Sequence, residues 1–345
     1  MIRFDCDYLE GAHPLILKKL NETNMEQSAG YGCDVHCDNA KNLIKKICNA
    51  PESDVHFLVG GTQTNTALIC SALRPHQGVI SPETGHISLH ESGAIEATGH
   101  KVLTLPAAEG KLNADMLEKY LTENENDPVR EHMVQPGMVY ISFPTEDGTL
   151  YSKKELTDLY SVCVNHKIPL YIDGARLGYG LAAESNDVDI TDFPNLCDAF
   201  YIGGTKVGAL FGEALVINSD KLKKDFRYII KQKGGLLAKG RLLGIQFEAL
   251  FEDGLYFEIS KHAIICAKRI KQIFENKGCA FLYESETNQQ FPIIPNDKIQ
   301  AIFEKCIGEI WCGTGGGKSA VRFCSSWATA EENLDILEKT VNDIL

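Results

Sequence analysis

A carboxylate and an amine stand at the ends of two apolar runs near the middle of this chain. Ile168 to Ile172 stops at Asp173 and Gly174, and Ala199 to Ile202 breaks at Gly203, Gly204 and Thr205 just before Lys206. Buried parallel strands end in this way at the carboxyl edge of a sheet, the edge at which open α/β sheets bind ligands. Asp173 and Lys206 are about thirty residues apart, the span of one strand, crossover, strand unit, so both are expected at neighbouring strand ends. Taken alone, such a pair reads as a salt bridge. The small residues before Lys206 leave room for a planar ring on its amine. A lysine so placed can form a Schiff base with pyridoxal phosphate when a strand-end aspartate keeps the pyridine nitrogen protonated.

That cofactor also needs a cradle for its phosphate. Val55 to Val59 reads as a strand, Gly60-Gly61-Thr62 as a tight turn and Gln63 to Leu73 as a helix. In such a unit backbone amides and the helix dipole both favour an anion. Gly61 and Thr62 are assigned to the phosphate and Gly60 to the shape of the turn. Glycine turns are common, and this one gains meaning only beside the lysine.

The elements that would position these groups follow from the alternation of patterns. Val79 to Ser81, Val102 to Leu105, Val139 to Phe143 and Ala214 to Ile217 read as further strands, separated by helical segments such as Lys153 to His166. This predicts an α/β fold with a mainly parallel, doubly wound sheet. Earlier in the chain, Asp38 is expected to cap a helix carrying Leu43, Ile44 and Ile47. A basic helix is expected over Lys221 to Lys233. From about Gly244 long helical segments lead to short strands around Ala280 to Tyr283, a helix near Asp297 to Cys306, and a hairpin. The expected division is a large domain over 21–245 and a smaller α+β domain built from 1–20 with 246–345. The hairpin turn Gly313 to Ser319 looks superficially like a nucleotide-binding P-loop, but Cys312 stands where that motif needs glycine and a strand follows it.

Composition narrows the partners. The 345 residues are 44% hydrophobic and 23% charged, with a net charge of -13, which disfavours nucleic acid and anionic membranes. No apolar leader or membrane-length run is present, and a cytoplasmic protein is expected. Twelve scattered cysteines read as reduced residues. Cys33 and Cys37 flank His36, but no second ligand pair follows, so no metal is expected.

At Asp173-Gly174-Ala175-Arg176 and the Thr205-Lys206 turn the chain resembles the low-specificity L-threonine aldolases, fold type I (aspartate aminotransferase-like) pyridoxal phosphate enzymes akin to β-eliminating lyases. The resemblance extends over nearly the whole chain, through the segment Ser81 to Ala94 and the segment Arg322 to Asp335. It implies that a β-hydroxy-α-amino acid displaces Lys206 from the cofactor and is cleaved between Cα and Cβ to glycine and an aldehyde. Arg176 and Arg322 would hold the substrate carboxylate, and Asp173 the ring nitrogen. His86 would lie on the cofactor ring and is the first candidate for the base. The alternative is that it only stacks, with a water held by Glu91 moving the proton. Cys6 stands where the family often has serine near the carboxylate. Tyr31 would reach a neighbouring subunit's site in a homo-oligomer, a dimer of dimers. Leu237 stands where a phosphate-binding arginine is expected in trans, with Lys233 or Lys239 as substitutes. Other reactions on the same scaffold, β-elimination or amino transfer, remain the alternative, and a non-catalytic phosphate binder is the rival of a different class.

Overall fold

The computed structural model describes every residue from Met1 to Leu345. Seven strands form the central sheet: β1 (Asp54–Leu58), β2 (Gln77–Pro82), β3 (Val102–Leu105), β4 (Gln135–Ser142), β5 (Leu170–Asp173), β6 (Ala199–Gly203) and β7 (Glu213–Ile217). Their spatial order is β1-β7-β6-β5-β4-β2-β3. The run from β3 to β6 is parallel, whereas β7 is antiparallel to both β6 and β1. The mainly parallel sheet expected from the sequence is therefore present, with β7 reversed. The Gly204 to Gly212 connection is shorter than the dozen or so residues a parallel crossover needs, so β7 must return antiparallel.

The middle strands are buried on both faces, and their pleat divides the apolar side chains between two cores. Leu170 and Ile172 join the larger core with Val139, Ile141 and Phe200, while Tyr171 turns to the opposite face with Met138, Tyr140 and Tyr201. That alternation is the period-two geometry of a strand. In β4 and β5 it brings Ser142 and Asp173 into register at the carboxyl edge.

The remainder wraps this sheet. The helix Arg241–Phe251 and the first half of the helix Leu255–Glu275 pack into the larger core through Phe247, Leu250, Tyr256 and Ile259. The second half of that long helix turns to a third core through Cys266, Ile270 and Phe274, with Phe4, Ile294 and Phe323. The hairpin of β8 (Glu309–Gly315) and β9 (Lys318–Cys324) covers it, with Ile293–Pro295 antiparallel to β9. Ile2–Arg3 pairs with Cys306–Ile307, so the first residues of the chain are built into its last hundred or so. No helix is long and apolar enough to cross a membrane.

Three local expectations are corrected. The helix Val35–Ile47 is capped by Asp34, whose side chain accepts from the Cys37 amide; Asp38 lies within the first turn. The basic segment is two short helices, Asp220–Lys223 and Phe226–Gln232, separated where Asp225 takes a left-handed conformation. Around Ala280 to Tyr283 there is only an isolated bridge from Phe281 to Pro292. Those aromatic side chains are half-buried and meet other partners, Lys271 over the Phe281 ring and Tyr283 edge-on to Phe291, so the apolar run forms without a ladder.

Candidate active site

The carboxyl ends of β4, β5 and β6 open into a cavity of about 580 Å³ lined by Lys206, Asp173, His86, Arg176 and Arg322 among others. The Lys206 turn is fixed from behind. Gly204 N and Thr205 Oγ1 donate to the two oxygens of Glu213 at 3.0 and 2.8 Å, and Gly212 N donates to Thr205 Oγ1. Burial pushes the Glu213 carboxyl up to about 8 against those hydrogen bonds. Lys206 itself forms no ion pair, and its ammonium lies 5.9 Å from the Tyr8 ring centroid. Burial, followed by the Arg176 charge, pushes the amine's pKa down, which raises its neutral, nucleophilic fraction. Close packing of the strand ends accounts for a glycine beside the aspartate: a Cβ on Gly174 would sit 1.9 Å from the Tyr201 carbonyl oxygen.

Asp173 is held by three donors. Oδ1 accepts from Ala175 N at 3.0 Å, and Oδ2 from Tyr140 OH at 2.7 Å and Asn65 Nδ2 at 3.1 Å. Asn65 donates also to Glu91 Oε1, which accepts from His86 Nδ1 at 2.8 Å. The Glu91 carboxylate thus sets the imidazole with Nδ1 protonated and leaves Nε2 without a partner. Glu91 stands behind the His86 ring, its side chain fully buried, and is not part of the cavity wall. The acid that does line the cavity beside His86 is Glu146, whose Oε1 accepts from Ser142 Oγ at 2.6 Å and from His86 N at 3.0 Å.

Across the cavity, the helix Gly61–Ala72 points its N-terminus inward. No side chain caps it, and Gly60, Gly61 and Thr62 line the wall. Open amides at the start of a helix of this length form an anion cradle.

The two arginines arrive differently. Arg176 forms a bidentate pair with Asp7, Nε to Oδ2 at 2.7 Å and Nη2 to Oδ1 at 3.0 Å, and Asn288 donates to the same carboxylate. Burial would raise the Asp7 pKa, but Arg176 and Lys206 outweigh it and hold the carboxyl well below the usual range. Since guanidinium has five donors, Arg176 keeps Nη1 and one Nη2 hydrogen for other partners. Arg322, from β9, donates to Gln289 Oε1 at 3.1 Å and to the Asp5 carbonyl at 3.0 Å, and pairs with Glu309. Its Nε is buried with no partner, and its guanidinium lies 5.1 Å from the Trp311 ring centroid.

Not every residue singled out in the sequence meets in this cavity. Cys6 lies between Asp5 and Asp7 but outside the lining. Tyr31 is half exposed and sits in a separate surface cleft with Leu237 and Arg227; Lys233 and Lys239 are likewise outside the cavity of their own chain. Around the metal-like trio, His36 is held between Glu26 and Glu248, and Cys37 Sγ donates to the Gly240 carbonyl. Sequence reasoning missed Tyr8, Asn65, Tyr140, Glu213, Glu309 and Trp311, and gave Glu146 no role beyond its strand end. Of these only Glu146 and Glu213 carried a local signal, since each flanks a strand end that the apolar pattern reveals.

The residues present fit pyridoxal phosphate: a partnerless amine, a three-fold bonded carboxylate at the adjacent strand end, and uncapped amides share one cavity of suitable size. Sheet and site together define the fold type I class of pyridoxal phosphate folds. Among solved structures the chain is similar to Leishmania major threonine aldolase, 44% identical over the full length of both with a TM-score of 0.96. It is similar in fold to Thermus thermophilus aspartate aminotransferase, 14% identical, covering 100% of this chain and 92% of that one with a TM-score of 0.70. A low specificity L-threonine aldolase of a Pseudomonas species is 27% identical, covering 99% of this chain and 98% of its own. Residues 14–296 match the beta-eliminating lyase family, and the chain belongs to that family.

Proposed function

We propose that the protein is a pyridoxal phosphate-dependent aldehyde-lyase that cleaves L-threonine and L-allo-threonine to glycine and an aldehyde. The observation that carries this reading is the partnerless Lys206 amine sharing one cavity with Asp173, in a chain 44% identical throughout to a threonine aldolase. Bound there, pyridoxal phosphate supplies an aldehyde that captures amines and a ring that draws electrons from Cα.

This chain's residues do the rest. Lys206 would tether the cofactor through its amine and release it to the substrate amine. Asp173 would hold the ring nitrogen protonated, its carboxylate fixed by Tyr140 and Asn65. The amides of Gly61 and Thr62 would take the phosphate. His86, oriented by Glu91, would face the ring, with Nε2 free to accept a proton directly or through water. Arg322, with the donors left on Arg176, takes the substrate carboxylate, since a planar guanidinium suits that geometry better than an ammonium. Cys6 flanks this subsite, where a thiol is a weaker partner than a hydroxyl. Tyr31 and Lys233 or Lys239, remote from their own cavity, act on a neighbour's in a dimer of dimers, and the free cysteines suit a reducing cytoplasm.

The test is spectroscopic and chemical. The purified protein with added cofactor is expected to be yellow, to lose that colour to borohydride, and to release acetaldehyde from threonine. Lys206→Ala is expected to abolish all three. A wild-type protein that stays colourless would overturn the proposal, and colour with pyruvate and ammonia released from serine, but no acetaldehyde, would establish β-elimination instead.

A further inference from the structure

One acid in the cavity has no part in the chemistry assigned so far. Glu146 follows β4 by four residues and is buried. Its two oxygens differ sharply: Oε1 accepts from Ser142 Oγ and His86 N, whereas Oε2 is buried with no partner. A carboxyl oxygen denied both water and a donor is costly to keep, and because the residue lines the cavity a small turn of its side chain brings that oxygen to a ligand that can relieve it. Because Oε1 is already occupied by two donors, any proton the group carries belongs on Oε2. The backbone oxygen of Glu146 accepts from Gln289 Nε2, and Gln289 Oε1 accepts from Arg322. One amide side chain therefore ties this acid to the arginine assigned to the substrate carboxylate.

We propose that Glu146 is the residue that exchanges a proton with the substrate's β-hydroxyl, through Oε2, with His86 beside it serving the cofactor face. The proposal rests on the aldolase reading. In the cleavage direction the hydroxyl proton passes to Oε2 as the C–O bond becomes a carbonyl. The Cα–Cβ bond breaks with its electron pair left on the glycine half, and a proton from water reaches Cα while Oε2 gives its proton back to water, so the count closes. One hydroxy amino acid gives one glycine and one aldehyde, with no oxidant or reductant. Burial pushes the Glu146 carboxyl up against the hydrogen bond from Ser142, and the Asp173 charge adds to the rise. That makes it a stronger base than an ordinary carboxylate, nearer the match to working pH that proton transfer favours. The groups facing it are Ser142 and Tyr140 from β4, Asp173 from β5, His86 from the segment after β2, Arg176 after β5, and Tyr151 further along its own connection. Glu91, by contrast, is sealed behind His86 and has no route to substrate.

The experiment compares wild type with Glu146→Gln, both loaded with cofactor. The variant is expected to keep its yellow colour and its KM for threonine, to lose kcat by roughly 10²–10⁴-fold, and to lose the limb of the kcat profile that falls as pH drops. An infrared band of a protonated carboxyl, present in wild type at the acid end of that limb, is expected to be missing. An unchanged kcat and limb, or a band that persists, would overturn the proposal. If Glu146→Gln loses its colour, Ser142→Ala decides: loss of the donor to Oε1 should move the limb to higher pH, and an unmoved limb excludes Glu146. A colourless wild type would sink the aldolase reading instead, and the infrared band, which needs no cofactor, would still report the Oε2 proton.

Discussion

Two walls face each other across the cavity, and they are built in opposite ways. The sheet wall, from β4, β5 and the segment after β2, carries Asp173, Glu146 and His86 on strand ends sunk in the two large cores. Its carboxylates are linked into one network, in which Asn65 bridges Glu91 and Asp173, and Tyr140 and Ser142 bridge Asp173 towards Glu146. The hairpin wall, from β8 and β9, carries Arg322, Glu309 and Trp311 on a small four-stranded sheet whose outer strand, β8, has mostly exposed side chains. Its central contact is an arginine against an acid with about half its side chain in solvent. The sheet wall is preorganised for fixed chemistry, whereas the hairpin wall can exchange its contacts when a ligand arrives. Substitutions should therefore be severe on the first wall and mild at the exposed contacts that surround Arg322 on the second.

The sharpest way to break that contrast is Asp173→Ala. It removes the proposed ring anchor and takes one acceptor from Asn65 Nδ2 and from Tyr140 OH, leaving them Glu91 Oε1 at 2.7 Å and Ser142 Oγ at 3.3 Å. Loss of cofactor colour at concentrations that saturate wild type, and no detectable threonine cleavage, are expected. Retention of either would show that this wall tolerates change.

Asp7→Ala comes next, because it leaves Arg176 buried without its bidentate partner. Breaking such a pair costs roughly 3–5 kcal/mol, readable as a lower urea midpoint. The pH dependence has a definite sign. The folded Asp7 carboxyl lies well below the usual range, so its contribution is fully present above the ordinary carboxylate pKa and is lost as pH falls towards the folded value. Asp7→Asn should therefore flatten the acid side of the stability profile, and an unchanged acid slope would refute the pairing. Thr205→Val should cost less, about 1–2 kcal/mol, since it removes one donor to Glu213 and one acceptor for Gly212 N; the expected effect is a slower borohydride reaction at Lys206 with little change in overall unfolding.

The same contrast governs what could be read in the sequence. Strand ends on the sheet wall announce themselves, because an apolar run that stops at glycine is seldom anything but a buried strand reaching its edge. Asp173, Lys206 and the Gly60 turn were legible for that reason. The reversal of β7 was legible only as a short connection. Glu213 and Glu146 were harder: each flanks a strand end, but among 47 acidic residues that signal is weak until burial singles them out, and Glu91 came only through the family resemblance. Arg322 could be placed on a strand, but nothing in its neighbours foretold Glu309 and Trp311, since pairing across a hairpin depends on register and β8 carries two irregularities. Tyr31 shows the remaining limit, for it lies in a separate cleft of its own chain and a role in a neighbour's site leaves no mark in a single chain's pattern.

The smallest effect, and the finest test of the contrast, is expected at Glu309. Its carboxylate pairs with Arg322 while about half exposed, so the pair contributes little, within about 1 kcal/mol after solvent screening. A substrate carboxylate bound by Arg322 has to displace it, so the resting pair competes with substrate. Glu309→Gln removes the competing charge and keeps the side-chain length, which should lower KM for threonine by at most about five-fold and leave kcat unchanged. The gain should shrink as salt rises, since added ions weaken the wild-type pair as well. A higher KM in the variant would mean that Glu309 holds Arg322 in its working position, and the hairpin would then be as preorganised as the sheet.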